Sequence, residues 1–462
     1  TLFRSIRIYS SSKKENANFN FTTKNLKLSG VEDLVISQAK EVIILPRNEE
    51  ITLLKNKDMQ FGGTVLGGRV DFVGEHFKFD YNNFTIDLPN MDEMLINYPN
   101  FQMTKGGQSE LEPVRTSINN ISGTLYIDKP TNKAGIMGNR DYPKFKSKGK
   151  SYAYYDNDRF KNLYRRDSFY FELQPFQLDS LWLLSPELVA LPGKLVSGGI
   201  FEDLQQNLTI QLDRSLGFKK QAPQGGIKMY KGAGLFKGEL ILNGKGLNGK
   251  GDFKALTAEL SSDSIIFYPD SILATCDTFY LDKKDTPHQP VTNSNGPVKI
   301  NWQAKKDTLN IVMKKHPFSL YNNSATLTGD LLLSSKGLKG KGELFWKEGM
   351  LKANNLKFMA DAVEAAVGDL TINAFDTAAV AFATNNVAAN INFTKKKGAF
   401  KSEGNLVIDL PYNNYKTTMN AFDWDISNGI IELYTPQNDD IIYYFRSTDK
   451  SQEDLKFTAK SG

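Results

Sequence analysis

The sequence predicts an all-β chain, laid out as an elongated repeat sheet that is coiled as a solenoid or opened as a groove. Three observations carry that expectation. Short apolar runs alternate with polar residues at period two, glycine, asparagine and lysine punctuate the runs, and one long stretch occurs twice. A tandem of β-sandwiches also matches the unit length. The continuous sheet is favoured because Tyr321–Leu333 runs from one copy into the next without a Gly/Pro-rich linker.

The duplication is clearest at Gly238–Phe253, GELILNGKGLNGKGDF, which returns at Gly329–Leu344 as GDLLLSSKGLKGKGEL, an offset of 329 − 238 = 91. Leu240, Leu242, Lys245, Gly246, Leu247, Gly249, Lys250 and Gly251 each find the same residue at that offset. Agreement continues without insertion through Phe267/Phe358, Asp270/Asp361, Trp302/Phe393 and Tyr321-Asn322-Asn323/Tyr412-Asn413-Asn414. The large apolar pairs belong in a core, and the repeated aspartates read as turn residues rather than a glycosidase pair.

The chain divides on this pattern. Residues 1–105 alternate in short runs and hold a diverged echo of the unit, Tyr81-Asn82-Asn83 with His76 five positions before it, as His316 precedes Tyr321. Val31–Glu41 is the one stretch there that reads as a helix. Residues 106–166 are rich in Gly, Pro, Asn and Lys and read as a loop-rich insertion. Residues 167–237 return to alternation, 238–328 and 329–419 are the two units, and 420–462 hold aromatic strands and a charged tail from Asp449. Phe358–Val367 has a helical composition, but Pro269 in the matching segment argues for strand in both copies.

Composition narrows the chemistry. Thirty Phe and nineteen Tyr stand against one Cys and three His, which favours aromatic strands and leaves few metal ligands or nucleophile-base pairs. A net charge of +5 on 57 basic and 52 acidic residues, without a basic stripe, gives no nucleic-acid signature. No run is long and apolar enough for a transmembrane helix, and a start at Thr1 rather than Met reads as a processed product, a fragment or the ordered part of something larger.

Gly244, Gly246 and Gly249 spell a dinucleotide fingerprint, which works by setting pyrophosphate at a helix start. Here a strand follows, and Ser335 replaces the first glycine in the copy. Gly246, Gly249 and Gly251 with Gly337, Gly340 and Gly342 therefore read as structural turns, and no cofactor is expected. Asp156-Asn157-Asp158 opens like a calcium loop but lacks its glycine and closing glutamate, so a turn near Arg159 and Arg165 is expected and no metal. His76, His288 and His316 lie far apart, and Cys276 has Val367 as its copy, so no catalytic residue is assigned. The best candidate for contact with a ligand or partner is the aromatic and acidic segment holding Tyr152, Tyr154, Tyr155, Asp156, Asp158, Phe160 and Tyr164, a combination suited to sugar rings.

GDLLLSSKGLKGKGELFWKEGMLKANNLKF resembles the repeat texture of AsmA/TamB-type envelope proteins, and the Asn/Lys/Phe-rich, cysteine-poor style resembles large exported proteins of Bacteroidota. The resemblance implies a cell-envelope location in a Gram-negative bacterium, in the periplasm, at the outer membrane or on the cell surface. It also implies a long curved sheet whose inner face, including Leu240, Phe253, Leu331 and Leu344, could carry lipid. A mean hydropathy of −0.40, and Asn301, Asn310 and Ser324 among the strands, point away from a wide apolar path. The leading expectation is a non-enzymatic β-repeat scaffold or binding protein whose partners are other envelope proteins. Lipid transfer and glycan binding or cleavage stand as alternatives.

Overall fold

The computed structural model describes residues 6–11, 15–99, 111–158, 162–282, 289–374, 379–402, 407–434, 443–452 and 455–459. Among them every regular element is a β-strand or a single 3-10 turn, as an all-β chain requires. Contacts divide the chain into two units, residues 1–221 with 240–248, and residues 222–239 with 249–462.

In the first unit, long antiparallel strands Met59–Gly67, Val70–Asp80, Thr85–Pro99 and Ile118–Tyr126 lie side by side. Their inward residues form a core around Phe72, Phe77, Phe79, Ile86 and Leu125. Period-two burial skips a beat once in three of these strands. Gly74 and Phe77 are both buried with Glu75-His76 between them, as are Leu88 and Met91 around Pro89-Asn90, and Ile118 and Ile121 around Asn119-Asn120. A one-residue slip would turn every following side chain outward. Two skipped residues let the strand bulge and bend while the same face stays buried. The skips are neighbours in register, Gly74 opposite Met91 and Met91 opposite Ile121, so the bend crosses the sheet as a line. His76 and Asn120 take up the positive φ, 61° and 51°.

The segment 106–166 departs from the loop-rich insertion expected of its composition. Its described part supplies strands Ile118–Tyr126, Lys144–Lys148 and Ser151–Tyr154. The connecting loop is held by a buried polar cluster. Asp128 accepts from Asn132 Nδ2 at 2.8 Å and from Asn139 Nδ2 at 2.7 Å, and Lys40 Nζ lies 3.9 Å from the same carboxylate. The helix expected over Val31–Glu41 is instead the strand Leu34–Ser37 followed by a 3-10 turn, Gln38–Lys40. Leu34 and Ile36 point inward while Val35 is exposed, a period-two alternation.

Along the chain the duplication is a duplication of strands. Gly234–Asn243, Gly246–Ala255 and Ala258–Phe267 recur as Ala325–Ser334, Gly337–Trp346 and Gly349–Phe358, with 325 − 234, 337 − 246 and 349 − 258 all equal to 91. The strand Ala421–Asp425 ends 91 residues after Ser334. The burial skip returns here as exposed pairs Asp263-Ser264, Asn354-Asn355, Ala366-Val367 and Asn385-Asn386. Phe358–Val367 is strand, turn and strand, so the strand expectation holds there.

The turn expected of the glycines is corrected. Only Gly244-Lys245 and Ser335-Lys336 form the two-residue turns. Gly249, Gly251, Gly340 and Gly342 lie inside strands, and Gly246 and Gly337 are the first strand residues after the turns. Their role is close backbone approach. A Cβ on Gly251, where φ is +139°, would sit 2.4 Å from the Lys237 carbonyl oxygen, and one on Gly342, φ +132°, would sit 2.2 Å from that of Thr328. Gly249 and Gly340 leave room for the rings of Phe267 and Phe358, themselves 91 residues apart.

Candidate functional site

The aromatic segment divides between core and surface. In the strand Ser151–Tyr154, Ser151 and Ala153 point inward and Tyr152 and Tyr154 outward; Tyr155 continues the inward series past the strand end. Tyr155 is 3% exposed and donates its hydroxyl to the Leu216 carbonyl at 3.1 Å. Burial pushes its phenol pKa upward, and the charge of Asp213 adds to the shift, so it stays a neutral donor. Tyr164 is fully buried, stacks on Phe169 at 4.0 Å and accepts the Leu247 N–H at 3.2 Å. These two tyrosines were expected to meet a ligand; both serve the core instead, since a buried phenol packs as an aromatic and finds one polar partner.

Tyr152 and Tyr154 form an outer face with residues that sequence reasoning missed. Register places Tyr154 opposite Tyr170 and Tyr152 opposite Glu172 on the strand Phe169–Leu173. The rings of Tyr152 and Tyr154 stack at 6.2 Å and 17°, and Tyr152 meets Tyr170 edge-on at 5.6 Å. Arg166 lies over Tyr154 at 4.6 Å and grips Asp156 with Nε at 2.7 Å and Nη2 at 3.4 Å. That hydrogen bond raises the Arg166 pKa. Glu172, only 8% exposed, is held by Lys150 at 3.0 Å. Asp158 is exposed in the following loop, and Phe160, Arg159 and His288 lie outside the described residues. The signal for Tyr170 and Glu172 was present in Phe169–Leu173, FYFEL, whose alternation sets them opposite to Phe169 and Phe171.

The fingerprint glycines hold no open anion site. The Gly244 N–H already donates to Asp213 Oδ2 at 3.0 Å and to Ser215 Oγ at 2.7 Å. In the copy, the Ser335 N–H donates to both oxygens of Asp307, at 3.2 and 3.1 Å. A phosphate would have to displace a carboxylate at each turn. Asp270 and Asp361 sit in the bends before Ile272 and Ala362, matching turn positions. Cys276 is buried, and burial pushes its thiol pKa up to about 12, so it is a core residue without nucleophilic character. Among the described residues no group of three His, Cys, Asp or Glu is placed to hold a metal ion, and no helix is long and apolar enough to cross a membrane.

Leu240, Phe253, Leu331 and Leu344, the positions a lipid path would line, are at most 3% exposed. A cavity of about 930 Å³ opens elsewhere, between the Ser334–Leu338 turn and Phe358–Ala362, with Lys336, Lys339 and Asp361 at its wall. The comparisons with family models, curated proteins and solved structures find no match to this chain.

Proposed function

We propose that the chain is a non-enzymatic β-repeat scaffold or binding protein of a Gram-negative cell-envelope assembly. The observation that supports this most is the recurrence of three strands at a fixed offset, with inward positions mostly kept apolar and most outward positions outside the Lys245/Lys336 and Lys250/Lys341 pairs varied. Leu331, Leu333 and Leu344 repeat Leu240, Leu242 and Phe253 as buried apolar positions, whereas outward Phe345 stands where the first copy has Lys254. Repetition of a core with variation outside is how repeat proteins build binding surfaces. The envelope assignment rests on the strand-and-glycine texture shared with AsmA/TamB-type proteins. Lipid transfer finds no support in side chains that fill the interior at the four positions where a path would run.

The test is fractionation of cells carrying the tagged chain, followed by cross-linking in native envelopes. The proposal expects recovery in the envelope fraction with a small set of reproducible protein cross-links. Recovery in the cytosol, or turnover of a substrate by the purified chain, would overturn it.

A further inference from the structure

The outer face around Tyr152 and Tyr170 has a composition that selects among ligand classes. Its charges close on themselves, since Arg166 pairs with Asp156, Lys150 with Glu172, and Lys194 with Asp203. Among the described residues these three pairs balance, and the one further charge level with them, Glu93 across Asn119 from Tyr152, is an anion, so the face offers no positive field to nucleic acid or acidic polymers. A protein interface would need a contiguous apolar centre. Among the described residues the apolar surface of this face is its phenol rings and Val196, opposite Tyr170.

We propose that this face binds a neutral, hydroxyl-rich polysaccharide. The C–H faces of pyranose rings are apolar enough to lie on Tyr152 and Tyr170, while their rims of hydroxyls seek donors and acceptors. Arg166 supplies donors in fixed orientation. Its Nε and Nη2 hold Asp156, so the guanidinium plane is set against Tyr154, and its Nη1 carries no hydrogen bond among the described residues. Asp156 presents a half-buried carboxylate beside it as an acceptor. Strand pairing fixes the backbone of the tyrosines, and Glu172 beside Tyr152 is paired with Lys150, so little backbone ordering is needed on binding.

This inference rests on the binding reading given above, and its test separates the two. Native gels cast with dextran, galactomannan or xyloglucan, and with alginate and heparin as charged comparators, measure retardation of the whole chain. At least one neutral polymer retards the wild type, and Tyr170→Ala and Tyr152→Ala weaken that retardation about tenfold or more, the loss of one stacked ring. Tyr170→Phe keeps the ring and keeps binding. Arg166→Ala, at a side chain 61% exposed, loses binding without loss of thermal stability. Absence of retardation in every neutral polymer overturns the inference while leaving the scaffold reading intact. Retardation confined to alginate or heparin, or alanine variants that bind like the wild type, also overturns it. Release of reducing sugar from a retarding polymer would instead sink the non-enzymatic reading and leave the platform standing.

Discussion

The first and second copies of the repeat share a backbone plan and differ in what surrounds it. Tyr230 and Tyr321, 91 residues apart, both take positive φ, 47° and 51°. The Tyr321 hydroxyl donates to the Ala362 carbonyl at 2.6 Å, and the Tyr230 hydroxyl reaches the matching Ser271 carbonyl at 2.9 Å as well as the Tyr268 carbonyl at 2.7 Å. Each also packs on the matched aromatic, Tyr230 on Trp302 at 5.2 Å and Tyr321 on Phe393 at 4.5 Å. Further along, the copies part. The first breaks its fourth strand at Asp277, giving Ile272–Cys276 and Thr278–Leu281, whereas the second runs through as Ala362–Asn373. Cys276 is consequently buried and its counterpart Val367, in an exposed skip pair, is 59% exposed. Sequence agreement at a fixed offset thus keeps the positive-φ tyrosine and its aromatic neighbour. It does not guarantee the facing of residues beside a strand break.

The shared part of the plan is tested where the two backbones touch most closely. Gly251→Val and Gly342→Val each force a branched side chain into a carbonyl at a positive φ, and each is expected to cost roughly 3 kcal/mol or more. Urea midpoints should fall by similar amounts in the two variants. A large loss in one and none in the other would break the equivalence.

The next largest effect separates the copies. Gly246→Ala and Gly337→Ala both place an L residue at positive φ, +91° and +128°, but a Cβ at 246 also meets the Tyr164 ring at 2.7 Å, whereas 337 has nothing within 4 Å. The first should be less stable than the second by about 1–3 kcal/mol in equilibrium unfolding. Equal losses would show that Tyr164 does not pack as described.

Smaller and symmetric changes are expected at the tyrosines. Tyr230→Phe and Tyr321→Phe each leave a buried carbonyl short of one donor, for about 1 kcal/mol apiece by thermal unfolding. Smallest of all, Val367→Ser should stay within about 0.5 kcal/mol because the side chain is exposed, whereas Cys276→Ser, fully buried, should cost about 1–2 kcal/mol. A reversal of that order would place the strand break elsewhere.

The repeat was legible because glycines that must admit a carbonyl or a ring cannot be replaced, so Gly249, Gly251, Gly340 and Gly342 print the offset directly. Their setting was not legible, since glycine serves a turn and a close strand crossing equally well. Alternation marked the strands but hid the skip pairs. Asn354-Asn355 looks like a turn until its neighbours show burial on both sides. At the aromatic segment, composition found Tyr152 and Tyr154 but ranked Tyr155 and Tyr164 with them. Only register and packing against Phe169 separate the two sets. Trp302 is buried as its size suggested, but Phe393 sits half-buried in a turn because Asn392 pairs with Lys397, two residues earlier than Gln303 with Thr308 predicts.

The most direct measurement is cooperative unfolding of two deletion variants joined inside a strand. Removing residues 241–331 joins Leu240 to Leu332, a deletion of one full period, 331 − 240 = 91, that keeps every later side chain on its native face. Removing 241–330 joins Leu240 to Leu331 and, one residue off period, reverses that strand. A fixed 91-residue repeat predicts a sharp native-like transition for the first and its loss in the second. Two variants that unfold alike would contradict a fixed structural repeat.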